Sequence, residues 1–409
     1  GGPALAKKLH TMLEASVKLH FPTNGLINCM CHSSENILNF RESSLARVSD
    51  DFYPTNRASH TVHVANVAYN SVFMGEIVVP DWDMFQSHCG EAGALHAAAR
   101  AVGGCPVYVS DAPGKHDFTL LRKLVFPSGR VLRGSLPGRP TRDCVFSDPC
   151  SDKTTALKIW NKNARNDCGV VGAFNVQGAS WSRAKGIFVE RFDDAAEFVV
   201  AEVSPSDVET LRSSKDSCDA LEEEASSAST SFPPLFAVHA HRSGETRALG
   251  AKDVWRVKLR PKQWEIYAVA RVRRTREETT NRDSTLKNLQ WAFIGLTGML
   301  NGGGAVLSDS HRVEREANKS VLSSSAARGK RLTNARRVCV VAFATVYGCG
   351  SLAAFATARP RSVLVDGEPV AFGFDRDATG ATGEVCGGRV LVPLGPREDT
   401  HEVQMRFEA

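Results

Sequence analysis

Two acidic clusters carry the chemistry that can be read from this chain. In "RVSDDFYP", Arg47 precedes the adjacent pair Asp50 and Asp51. Cleavage or transfer at a glycosidic bond needs one carboxyl held protonated as acid and a second as nucleophile or base. Retaining enzymes place the two roughly 5 Å apart. A neighbouring arginine orients a carboxylate or hydrogen-bonds a sugar hydroxyl. Side chains alternate along a strand, so a strand running through the pair would turn one aspartate inward and the other toward a loop. Further on, "PDWDMF" places Asp81 and Asp83 on either side of Trp82. On one reading the carboxylates take sugar hydroxyls while the indole stacks on a pyranose. On the other, Trp82 packs against the strand ends and the aspartates cap the following helix. Cys29-Met30-Cys31-His32 has metal-like residue types, but "GLINCMCH" alternates as a strand does, and no second ligand pair follows at zinc-site spacing.

The elements that would position these residues alternate. "LAKKLHTMLEASVKLH", "SHTVHVANVAYNSVFMG", "EAGALHAAARAVG" and "KHDFTLLRKLVF" have apolar residues at helical spacing. Between them "NGLINCM", "LARVSDD", "EIVVPDWDMF" and "CPVYVSD" read as short buried strands. Strands that are continuously apolar and each followed by a helix are the pattern of parallel β/α units with both sheet faces covered. Polar residues gather just past the strand ends: Cys29, Asp50–Asp51, Asp81–Asp83 and Asp111. In (β/α)8 barrels that rim is where active sites form. Four such units amount to half a barrel, assigned to residues 1–128.

From residue 129 to 409 the pattern becomes strand pairs joined by Gly, Asn or Asp turns, as in "RSVLVDGEPVAFGFD", and an antiparallel β-sandwich is expected. Polar stretches at 210–231, 273–288 and 311–337 read as disordered insertions, too polar to bury a face.

Composition is that of a globular chain long enough for two domains. A net charge of +5 without a concentrated stripe calls for neither a nucleic-acid nor a membrane partner, and no apolar run is long enough to span a bilayer. Eleven cysteines without framework spacing read as reduced thiols of an intracellular protein. A cytoplasmic location is expected, with the plastid as the alternative.

The longer motifs resemble a known family. "RVSDDFYP", "PDWDMF", "AARAVGGCPVYVSDAPGKHDFTLLRKLVFPSG", "LPGRPTRDCVFSDP", "GVVGAFNVQGASW", "IGLTGMLNGGGAV" and "YGCGSLAAFATARPRSVLVDGEPV" are similar to the plant raffinose synthase and alkaline α-galactosidase group, the seed imbibition proteins of glycoside hydrolase family 36. The likeness covers nearly the whole chain outside the three polar stretches. It implies a (β/α)8 barrel followed by a β-sandwich, and a retaining double displacement on α-galactosides. Galactinol, sucrose and raffinose-family oligosaccharides are the implied substrates, with no metal or organic cofactor. The family's acid/base falls within Ser49-Asp50-Asp51. The Arg47-to-Asp51 offset matches related α-galactosidases and favours Asp51, with Asp50 as the alternative. Arg47, Asp81, Trp82, Asp83 and Cys29 become the implied substrate contacts.

The resemblance also marks departures. The family's nucleophile sits in a Lys-Val-Asp motif that falls upstream of the segment matching Gly1. The chain as written is therefore expected to lack the nucleophile-bearing half of the barrel and to be inactive alone. The competing expectation is a non-catalytic remnant that binds carbohydrate or serves a structural role. "SDAPGKHDF" and "LPGRPTRDC" lean toward the alkaline α-galactosidase branch.

Overall fold

The computed structural model describes residues 2–21, 23, 25–166, 168–194, 196–212, 233–275, 286, 288–316 and 337–408. Among these, helix and strand alternate first: α1 (Gly2–His20), β1 (Ile27–Asn28), β2 (Leu45–Arg47), α2 (Arg57–Met74), β3 (Val79–Asp81) and α3 (Gly90–Gly103). β1, β2 and β3 lie side by side and parallel, with Arg47 directly opposite Asp81 at their C-terminal ends. α2 starts where the Asn56 side chain accepts from Ala58 N–H, satisfying one of the orphan donors of a helix start. α3 stops at Gly104, whose φ of 66° lets the chain reverse. A Cβ there would lie 2.0 Å from the Leu136 carbonyl, so the close approach admits only glycine.

Three sequence expectations in this part are corrected. β1 ends at Asn28 instead of continuing through Cys31, because Met30 turns the chain at φ 51° and the Cys31 thiol bonds back to the Asn28 carbonyl. "CPVYVSD" contributes one parallel bridge, Val109 with Phe85, in place of a full strand. Pro106 in that run has no N–H to donate to a ladder. The last helix shrinks to Phe118–Leu121, since a turn at Gly129 (φ 86°) bonds Phe126 N–H to Arg130 O and draws Val125 into a bridge with Val131.

Beyond these units the chain is strand-rich. Its largest sheet has eleven strands among the described residues, with Arg273–Arg274 at one edge and Arg139–Pro140 at the other. Pairing is antiparallel except where Arg247 meets Thr379 in parallel, a departure from the all-antiparallel expectation. Two of its strands, β4 (Leu157–Lys162) and β5 (Cys168–Phe174), are buried along almost their whole length because both faces are covered. Leu157, Ile159, Val170 and Phe174 share a core with Trp82 and the alanines of α3. On the opposite face Trp160, Val171 and Ala173 pack with Val199, Ala201 and Trp255. At the other end of this sheet, Trp291, Leu352, Ala354 and Val390 share a core with Val340, Ala342, Val403 and Met405 of a five-stranded sheet.

A separate hairpin, β6 (Ala179–Ser182) and β7 (Ile187–Glu190), leans on the start of α2 through Ala58, Val62 and Ala179. The three polar stretches are structured at their ends. Thr210 to Arg212 belong to a short helix, and Arg273–Arg274 pair with Trp291 and Gln290. Residues 311–316 continue the strand Val306–Glu316. There Arg312 pairs with Glu314, and Glu314 with Arg406, so charge is carried as surface pairs on a strand. Most of the remaining residues of those stretches lie outside the described ones. No described helix is long and apolar enough to cross a membrane.

Candidate active site at the ends of the parallel strands

Arg47 organises the site. From the last position of β2 its guanidinium bonds to three carboxylates: Nε to Asp81 at 2.9 Å, Nη2 to Asp83 at 2.6 Å and Nη1 to Asp51 at 3.0 Å. The three partners are not equivalent. The Asp81 and Asp83 side chains are 0% and 3% exposed, while that of Asp51 is 64% exposed. The buried pair therefore holds the arginine, and the arginine presents Asp51 to solvent. Burial by itself would lower the Arg47 guanidinium, but the Asp81 hydrogen bond and the charges of Asp83 and Asp81 outweigh it and leave the group raised. It is charged at any working pH.

Asp83 also fixes the acidic loop. It sits at φ 64°, a left-handed conformation uncommon for a residue with a Cβ. Its Oδ2 accepts from Phe52 N–H at 2.8 Å and its Oδ1 from Met84 N–H at 2.7 Å. The segment after β2 is thereby tied to the end of β3. Asp50 turns back on its own loop, its Oδ1 accepting from Asp51 N–H at 2.9 Å. The strand stops at Arg47, so alternation does not sort the two aspartates as expected. Both are exposed, and hydrogen bonding separates them.

Trp82 is corrected outright. Its ring is 0% exposed and lies against α3 at Gly103, so it cannot stack on a sugar. Nor do Asp81 and Asp83 cap the following helix, whose N-cap is Cys89. Cys29 is exposed on the turn after β1 and takes no part in the Arg47 cluster among the described residues.

The sequence reading passed over two contributors. Tyr108 donates its hydroxyl to both Asp81 oxygens, at 2.9 and 2.8 Å, and its phenol is raised first by burial and then by the Asp81 charge. Arg100, 2% exposed inside α3, donates from Nη2 to the Trp82 carbonyl at 2.6 Å and to the Asp83 carbonyl at 3.0 Å. His63 Nε2 donates to the same Trp82 carbonyl at 3.0 Å. Each had a signal: one arginine in an alanine-rich helix, and one hydroxyl alternating with Val107 and Val109 in an apolar run. Asp111, noted as a rim residue, accepts from Ser87 N–H, Ser87 Oγ and His88 Nδ1. Burial alone would raise its carboxyl, but the Ser87 and His88 hydrogen bonds bring it down.

The arrangement is a buried Asp–Arg–Asp clamp with exposed carboxylates at its mouth. Asp50 and Asp51 are its solvent-accessible acids, so of the four carboxylates these two are open to a bound molecule. Tyr53 stands beside them, 44% exposed, its phenol raised chiefly by the Asp50 charge.

An arginine held among aspartates at the C-terminal ends of parallel strands makes an acidic rim in which carboxyls are placed to do bond chemistry, and comparison with known proteins gives the family. The family model for raffinose synthase or seed imbibition protein Sip1 matches residues 1–385, and the chain belongs to that family. It is 37% identical over 377 residues to the Arabidopsis thaliana protein named probable galactinol–sucrose galactosyltransferase 6, covering 92% of this chain and 44% of that protein. A galactinol–sucrose galactosyltransferase of Oryza sativa subsp. japonica is 37% identical over 388 residues, 92% of this chain and 43% of that one. Stachyose synthase of Pisum sativum is 34% identical over 315 residues, 74% of this chain and 34% of that enzyme. The chain thus spans less than half the length of these relatives. Among solved structures, a Bacteroides fragilis chain provisionally assigned as an α-galactosidase aligns with a TM-score of 0.37 at 15% identity, over 65% of this chain and 51% of that one.

Proposed function

We propose that these residues carry the acid/base half of a retaining α-galactosyl-transferring site. Residues 1–128 would form the C-terminal half of a (β/α)8 barrel and residues 129–409 a β-sandwich domain. The reaction is galactosyl transfer from galactinol to sucrose, or release of galactose from raffinose-family oligosaccharides to water. The observation that carries the reading is the Arg47–Asp51 pair, a buried guanidinium holding an exposed carboxylate at the C-terminal ends of parallel strands in a chain of this family. A cytoplasmic location is part of the same proposal.

The steps are those of a retaining double displacement. Asp51, protonated, gives its proton to the glycosidic oxygen as the C1–O bond breaks, and a nucleophilic carboxylate takes the galactosyl group as an ester. Asp51, now a carboxylate, removes the proton from an acceptor hydroxyl, whose oxygen attacks C1 and releases the nucleophile. Arg47 moves no proton; it keeps Asp51 in place. Neither step calls on a metal or an organic cofactor.

Asp51→Asn in the natural protein tests this. Transfer from galactinol should fall by about 10²- to 10⁴-fold, the usual contribution of a general acid/base. An aryl α-galactoside whose leaving group needs no proton should lose much less, and azide should restore its turnover. Full transfer by Asp51→Asn, with loss in Asp50→Asn, would move the role to Asp50. Full transfer by both variants would refute the assignment.

A further inference from the structure

An exposed aromatic strip leads away from the acidic loop and is unused by the chemistry above. Trp181 and Phe188 are register partners across β6 and β7, so their side chains share one face of the hairpin. Their rings meet edge to face at 5.1 Å between centroids, and Phe188 meets Tyr53 in the same manner at 6.2 Å. Tyr53 is two positions beyond Asp51. The strip thus begins at the carboxylates on the strand rim and ends on a hairpin from the strand-rich part of the chain.

Among the tryptophans and tyrosines of this chain its exposure is unusual. Trp181 is 46% exposed and Tyr53 44%, whereas the other five tryptophans are at most 8% exposed. Phe188 is partly covered and packs on Ala58, Val62 and Ala179, which anchors the hairpin to α2. An open hairpin has little reason to hold a large indole in water, since burying that apolar area is favourable. Rigid aromatic faces with free surface are suited to the apolar C–H face of a pyranose, and they lose little side-chain entropy when they bind.

We propose that Tyr53, Phe188 and Trp181 form the acceptor saccharide subsite, with the sugar that receives galactose lying over Tyr53 and the remoter ring of the acceptor on Trp181. This rests on the galactosyl-transfer reading. It adds the element that selects a di- or trisaccharide acceptor over water, and it makes the β6–β7 hairpin a specificity determinant.

Trp181 is the one open indole among the six tryptophans of these residues, so the difference in acrylamide quenching between wild type and Trp181→Phe isolates its signal. In the natural protein, sucrose or raffinose should reduce the quenchable fraction, and Trp181→Ala should abolish that response. Phe198→Ala, an exposed aromatic just before the strand Val199–Val203, should leave it intact. In steady-state assays Trp181→Ala should raise the KM for the acceptor by about tenfold and lower the ratio of transfer to hydrolysis. Asp51→Asn should abolish transfer yet keep the saccharide protection of Trp181, so failure of the catalytic assignment and failure of the subsite are told apart. Two results overturn the subsite. One is an indole already shielded without sugar, which would mean polypeptide covers the hairpin. The other is a Trp181→Ala protein with wild-type acceptor KM and wild-type partition.

Discussion

Arg47→Met separates what holds the site from what the site presents. The substitution keeps the apolar stem and removes the charge, leaving Asp81 and Asp83 buried without their cation. Breaking a buried ion pair from one side costs about 3–5 kcal/mol. The Asp51 partnership, with its carboxylate 64% exposed, should contribute less than about 1 kcal/mol. For domains of this size a destabilisation of that order lowers the melting temperature by about 10 °C, at roughly 2–4 °C per kcal/mol. Thermal unfolding followed by tryptophan fluorescence is the assay, since Trp82 lies in the same core. Double-mutant cycles decide the point. Arg47→Met with Asp81→Asn should show a coupling of a few kcal/mol, and Arg47→Met with Asp51→Asn nearly none. Equal couplings in the two cycles, or a wild-type melting temperature in Arg47→Met, would refute the clamp.

The other expectations concern pH and packing. Burial pushes His63 down to about 3, helped by the Arg100 charge, and His239 and His241 to about 4; all have an ordinary value near 6.5. The folded state refuses protons that the unfolded chain accepts, so stability is full above about pH 6.5. Below that it should fall by about 1.4 kcal/mol per pH unit for each histidine, until pH reaches the folded values. Denaturation midpoints between pH 7 and 5 should show this, and His63→Gln should flatten the slope by one proton. Gly104→Ala should destabilise by at least ~1–2 kcal/mol from its left-handed backbone alone, with more from the clash at Leu136, measurable as a lowered melting temperature.

Much of the fold was legible. The periodicity of "SHTVHVANVAYNSVFMG" and "EAGALHAAARAVG" gave α2 and α3 nearly to the residue, because both helices bury most of their surface. "VDGE" folds as read, with Asp366 and Gly367 at φ 54° and 86° in a two-residue turn. What failed was strand length. Short parallel strands end where a local bond competes, as the Cys31 thiol does, and composition does not register a single such bond. The charged run at 311–316 failed for a related reason, since pairing with Arg337–Tyr347 joins residues far apart in the chain.

The acidic residues and Arg47 of the candidate site were named from sequence; Tyr108, Arg100 and the division of labour were not. By itself the chain specified its long helices, its family, and an arginine with acidic residues at the ends of parallel strands. It could not say that Asp81 and Asp83 are the arginine's buried anchors, that Trp82 belongs to the core, or that Tyr108 completes the clamp. Those facts depend on burial and on which strand ends meet, as Arg47 meets Asp81 across β2 and β3. An aspartate has the same chemistry in any sequence window. Tertiary structure decides whether it faces a guanidinium in the interior or a substrate in water.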